Sequence, residues 1–177
     1  MKFNQILLFL LLFFFCGCYP FSSKDPQGAK EIKEGDVFFA SGDVDKAILL
    51  WKKSLEKEKS ALGYEKMIMA YIIKNDLSLA DKWIQEGLFY FPDNTNLLFN
   101  NSLVRYYNKE YETAMENCDK VLSANQFYPN VHFLKGMIYE ETGREKEAKE
   151  EFVKELNVNP GSKNAWLKIR EEVKNEE

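Results

Sequence analysis

Residues able to carry chemistry are few in this chain: one histidine, His132, and three cysteines, Cys16, Cys18 and Cys118. A single imidazole cannot form a histidine-pair metal site, and it offers just one candidate base for a nucleophilic triad. His132 falls early in a predicted helix, which points to packing or surface placement rather than catalysis. Carboxylates are plentiful, but they lie in mixed runs such as Glu145-Lys146-Glu147 and Glu150-Glu151, the pattern of a solvated helix face. There is no glycine-rich phosphate loop and no Cys-x-x-Cys. Asn100-Asn101-Ser102 fits a glycosylation acceptor, yet it sits inside a predicted helix and is discounted. We therefore expect no catalytic residues, no metal and no cofactor.

The cysteines say more. Lys2 is the one charge among the first 18 residues, and an uninterrupted apolar run, Ile6 to Phe15, follows it. Ten residues rise about 15 Å as a helix, half of a hydrocarbon core of roughly 30 Å, so a secretory signal is favoured over a membrane span. The next residues, Phe15-Cys16-Gly17-Cys18, resemble the lipobox of bacterial lipoproteins, in which a small residue precedes the cysteine that is lipidated. Gly17 makes Cys18 that cysteine; Phe15 and Cys16 depart from the usual leucine-plus-small pattern, as looser lipoboxes in spirochaetes do. The resemblance implies a signal peptide over 1–17 and a palmitate-bearing, triacylated Cys18. The alternative is a plain signal peptide cleaved nearby. Residues 18–27 read as the lipidated cysteine and a flexible tether, with two prolines and two serines between Tyr19 and Gln27. Once Cys16 is discarded and Cys18 acylated, Cys118 is left alone; no disulfide is expected, and its setting is that of a small core residue.

The rest of the chain must be the body that such an anchor holds. It is long enough to bury about 68–70% of its unfolded surface without metal or disulfide. With 45% hydrophobic and 29% charged residues it is globular in composition. The net charge of −4, without a basic stripe and interleaved aromatics, argues against nucleic acid as a partner.

A period organises this body. Ala47, Ala80, Ala114 and Ala148 recur at spacings of 33, 34 and 34 residues. Four residues after each comes Trp51, Ile84, Cys118 or Phe152; twelve before comes Gly35, Ile68, Ser102 or Gly136. Such an interval is that of stacked helix pairs. Helices are predicted near 28–41, 44–58, 61–74, 77–90, 95–108, 111–124, 129–142, 145–157 and 163–175. Within each unit a glycine or asparagine in the turn can take the left-handed conformation, in Ser41-Gly42-Asp43, Lys74-Asn75-Asp76, Asn108-Lys109-Glu110 and Thr142-Gly143-Arg144. Proline-bearing links near Pro92, Pro129 and Pro160 stop one unit and cap the next. Gly35 and Gly136 are expected to face Ala47 and Ala148 where paired helices cross.

The pattern closely resembles the tetratricopeptide repeat family. The unit with Gly136, Tyr139, Gly143, Ala148, Phe152 and Pro160 fits best; the third departs, with Arg105 where an aromatic belongs and Tyr106 and Tyr107 beside it. The resemblance implies an all-α, right-handed α-solenoid over 28–177: four helix pairs (28–60, 61–94, 95–128, 129–162) and a polar capping helix, 163–177.

It also implies a concave groove lined by the first helices. Carried over position by position, the lining is Ile32, Asp36 and Phe39; Glu65, Met69 and Ile72; Phe99, Leu103 and Tyr106; Phe133, Met137 and Glu140. That surface is aromatic and methionine-rich, which suits a hydrophobic or amphipathic protein segment better than an acidic tail. The expected function is a lipid-anchored scaffold of the bacterial envelope, at the outer membrane facing the periplasm, of the assembly-factor or pilotin kind. The alternatives are a surface-exposed lipoprotein contacting host or environment, and an accessory subunit of a cell-wall enzyme.

Overall fold

The computed structural model describes residues 27–175, with side chains as far as Arg170; the signal peptide, Cys18 and all of the tether but Gln27 lie outside the described residues. Among the described residues there are nine helices. They are α1 (Ala29–Ala40), α2 (Val44–Lys57), α3 (Ala61–Ile73), α4 (Leu77–Tyr90), α5 (Thr95–Tyr107), α6 (Tyr111–Ala124), α7 (Val131–Glu141), α8 (Glu145–Val158) and α9 (Lys163–Asn175). Each begins and ends within about two residues of its predicted bounds.

The ends are chemically specified. Asp43, Ser60, Asp76 and Asn94 accept hydrogen bonds from the backbone N–H three residues on, at 3.0–3.2 Å, which satisfies one orphan donor at the start of α2, α3, α4 and α5. Helix α7 starts differently. Asn130 is left-handed (φ 66°) and gives no side-chain cap; instead the buried Glu155 carboxylate, on α8, accepts from Asn130 N at 3.0 Å and Phe133 N at 3.4 Å. A carboxylate at a helix N-terminus also complements the helix dipole.

Each turn within a unit carries its left-handed residue five positions before the repeat alanine: Gly42 (φ 87°), Asn75 (57°), Lys109 (63°) and Gly143 (73°). In the third turn Asn108 stays right-handed at φ −78° and Lys109 takes the position, so the third unit runs in the same register as the others.

Ala47, Ala80, Ala114 and Ala148 are completely buried. Beside Gly35 and Gly136, on first helices, lies a side chain that fills the space the missing Cβ leaves. A Cβ built on Gly35 meets the Trp51 indole at 2.4 Å, and one on Gly136 meets the Phe152 ring at 2.4 Å. The atoms nearest to such a Cβ thus belong to the aromatics four residues beyond the alanines. Where the first helix offers no Cβ the second offers a ring; where it offers Ile68 or Ser102 the second offers Ile84 or Cys118. Arg105 replaces the aromatic of the third unit by pairing with Asp81 on α4 and with Glu110 at 3.0 Å.

The pairs α1–α2, α3–α4, α5–α6 and α7–α8 pack side by side, and each second helix leans on the first helix of the next unit. First helices also touch one another, α3 on α5 and α5 on α7, which crowds them onto the inner side of the stack. One core holds Trp51, Tyr64, Met67, Ile68 and Ile84; a second holds Cys118, Val121, Leu134 and Ile138.

Candidate partner-binding groove

The predicted groove residues form three rows across the first helices, one row for each position within a unit. The outer row, nearest the helix starts, is the least open. Ile32 is a core residue, 9% exposed, and its carbonyl accepts from the Trp51 indole; this corrects its assignment to the groove. Phe99 packs its ring 5.3 Å from that of Tyr128, and Phe133 sits 5.5 Å from Phe152. Glu65, in the same row, accepts from Asn96 at 3.0 Å, and burial pushes its carboxyl above the ordinary glutamate value.

The middle row, Asp36, Met69, Leu103 and Met137, is the most accessible. Met69 is 40% exposed, and the other three are half-buried. In the inner row Phe39 lies 5.3 Å from Trp51, Ile72 packs against the first core, and Tyr106 lies 5.5 Å from Tyr107 and 6.0 Å from Tyr111. Ile73 and Tyr107, one residue further along α3 and α5, are both exposed and extend this apolar strip.

Polar rungs cross from unit to unit on the same face. Asp36 on α1 pairs with Lys66 on α3 at 2.7 Å and accepts from Trp51 Nε1 at 3.2 Å. Glu65 on α3 binds Asn96 on α5, whose side-chain oxygen accepts from the Tyr128 hydroxyl at 2.7 Å. Glu140 on α7 pairs with Lys168 on α9 at 2.6 Å. The acidic groove residues are therefore tied up in the fold, and what remains available is apolar. Nothing within one unit announces these rungs; the one clue in the sequence is complementary residue types about one repeat apart.

The candidates for chemistry have structural partners. His132 Nδ1 lies 2.7 Å from Glu151, which Lys154 also holds at 2.7 Å. Burial opposes ionisation of Glu151, but these hydrogen bonds outweigh it and hold the carboxyl down at about 2. Cys118 is fully buried, and burial pushes its thiol up to about 11, far from a reactive thiolate. Asn100 is buried on α5. Among the described residues no group of three or more His, Cys, Asp or Glu is placed to hold a metal ion, and no helix is long and apolar enough to cross a membrane.

Residues 129–161, the fourth unit, match the tetratricopeptide repeat family. No curated protein sequence matches the chain. Among solved structures, PilF of Pseudomonas aeruginosa is similar at 22% identity with a TM-score of 0.76, covering 86% of this chain and 70% of that one. MamA of Desulfovibrio magneticus RS-1 is similar at 17% identity and a TM-score of 0.65, covering 76% of each chain. A tetratricopeptide repeat protein from Parabacteroides merdae is similar at 20% identity and a TM-score of 0.64, covering 80% of this chain and 57% of that one. These likenesses establish the fold of the described residues: an all-α, right-handed solenoid of four helix pairs followed by a ninth helix, built on the tetratricopeptide plan and carrying a matching repeat at 129–161.

Proposed function

We propose that this chain is a lipid-anchored scaffold of the bacterial envelope whose inner face receives an apolar or amphipathic segment of a partner protein. One observation carries the reading: on the inner face the carboxylates Asp36, Glu65 and Glu140 are consumed in rungs between units, while Met69, Ile73 and Tyr107 stay exposed. A surface built this way has little to offer a charged tail and much to offer a row of apolar side chains. Methionine suits it to irregular partners. Acylation at Cys18 would raise the local concentration of the groove at the membrane, so that modest affinity suffices. The finer form of the reading is an assembly-factor or pilotin-like role on the periplasmic side of the outer membrane.

The test places a photo-crosslinking residue at Met137 in the full chain expressed in a lipoprotein-processing bacterium. A discrete crosslinked partner is expected, and Met69→Glu with Tyr107→Glu should abolish it while helical content is unchanged. Crosslinking that survives both substitutions overturns the groove. Palmitate labelling that persists in Cys18→Ala overturns the anchor, and digestion by protease on intact cells overturns the periplasmic address.

A further inference from the structure

Antiparallel stacking gives the solenoid two edges of different character. One edge gathers the start of α1 at Gly28 and the links between units, spanning 57–62, 89–96, 124–131 and 158–166. The other gathers the turns within units, 40–46, 73–77, 107–112 and 141–147. The exposed aromatics of the described residues are Phe89, Tyr90, Tyr107, Phe127 and Trp166, and all but Tyr107 stand on the link edge. Phe89, at 79%, is the most exposed large hydrophobic side chain described; Phe127 is 66% and Trp166 57% exposed. Burying such rings in a core would be ordinary, but leaving them in water along one edge is not.

Charge divides the same way. The link edge carries Lys30, Lys57, Lys59 and Lys163 against Glu31, Glu58 and Asp93, a near-even balance in which Lys30 pairs with Glu34, Lys57 with Glu31 and Lys59 with Glu86. The turn edge carries eight acids against five bases. Chain connectivity adds a third observation. The folded body begins at Gly28, on the link edge, so the residues between Cys18 and Gly28 attach there and reach at most about 30–35 Å when extended.

We propose that the link edge lies against an anionic phospholipid bilayer, with Phe89, Phe127 and Trp166 seated in the boundary between headgroups and acyl chains. The inference rests on the anchoring of Cys18 proposed above. The three rings fall one to each of three successive links between units, Phe89 before the link to α5, Phe127 in the link to α7 and Trp166 just after the link to α9. Trp166 is prepared for that phase: its indole N–H donates to the Pro160 carbonyl at 3.2 Å, so the ring enters with no unpaired donor. Lys59 lies over the Tyr90 ring, the near-neutral link edge offers an anionic surface no net repulsion, and the acidic turn edge is held away from it.

The test uses the full-length protein in phosphatidylethanolamine–phosphatidylglycerol vesicles whose acyl chains carry bromine, a short-range quencher, with palmitate labelling measured on the same preparation. The emission difference between the native chain and Trp166→Phe isolates Trp166. It should lose roughly half or more of its intensity in brominated vesicles. Phe89→Glu with Phe127→Glu should remove that quenching while label and melting temperature stay unchanged. Labelled protein with unquenched Trp166 overturns the membrane-facing edge and leaves the anchor standing. Unlabelled, unquenched protein overturns both, and quenching without label supports the edge while removing the anchor. Quenching indifferent to Phe89→Glu and Phe127→Glu also overturns the assignment.

Discussion

A single methyl group on Gly136 puts the packing logic of the repeat at risk. Its Cβ would stand 2.4, 2.6 and 2.9 Å from three carbons of the Phe152 ring. Phe152 is completely buried, so the ring cannot swing into solvent, and the helix pair must part or the ring must leave its rotamer. Overpacking of this severity costs about 3 kcal/mol, while alanine returns up to about 1 kcal/mol of helix propensity over glycine. The net expectation for Gly136→Ala is a loss of about 2 kcal/mol, or a fall in Tm of roughly 4–8 °C in a domain of this size. Phe152→Leu alone should cost about 1–2 kcal/mol through the space it leaves.

The decisive quantity is the double variant. Removing the ring removes the obstacle to the methyl group, so Gly136→Ala with Phe152→Leu should be less destabilised than the two single changes added together, by at least about 1 kcal/mol. Urea titration followed by far-UV circular dichroism measures all three differences. Additive losses, or a Gly136→Ala variant as stable as the parent, would refute the pairing of missing Cβ with ring that Gly35–Trp51 and Gly136–Phe152 share.

Two further outcomes follow from single residues. Lys109 is held left-handed at φ 63°, which costs a non-glycine residue about 1–2 kcal/mol; Lys109→Gly recovers this less the entropy of glycine, for a net gain of about 0.5–1 kcal/mol in thermal melts, with no gain from Asn108→Gly. Glu151 ionises at about 2 in the fold against an ordinary 4.5, so its contribution of up to roughly 3 kcal/mol is complete above the unfolded value and is lost as pH falls through the folded one. Glu151→Gln should therefore be less stable than the parent at neutral pH, and the gap should close between pH 4.5 and 2 in melts across that range.

Helix bounds were legible because the alanine period, the caps and the turn residues all agree, and agreement between levels leaves few alternatives. The third unit was obscure because Arg105 and Lys109 fill positions where an aromatic and a glycine are customary. The chain keeps the register and meets the cost by pairing Arg105 with Asp81 and Glu110. The ring that fills the space beside Gly136 is not legible in the period, because a period locates a Cα, whereas the side chain that fills a gap depends on how far it reaches. Position within the repeat does not reveal that Ile32 is core, because it does not say that α1 is covered by the Trp51 side chain. The rungs Asp36–Lys66, Glu65–Asn96 and Glu140–Lys168 join residues nearly a repeat apart, and no local pattern links them.

Groove and edge also constrain each other. The links between units lie at one end of every helix, so a bilayer against that edge makes the first helices stand up from the membrane. The rows of the groove run across those helices, hence parallel to the surface. Asp36, seven residues into α1 from Ala29, puts the middle row about 10 Å above the helix starts. A partner segment seated on Met69, Leu103 and Met137 would then lie along the membrane, within reach of a segment that has just left it. The Glu65–Asn96–Tyr128 rung would then stand between that row and the lipid, as a polar sill. An apolar strip opening toward water and a polar sill toward the bilayer would keep the groove from being filled by lipid.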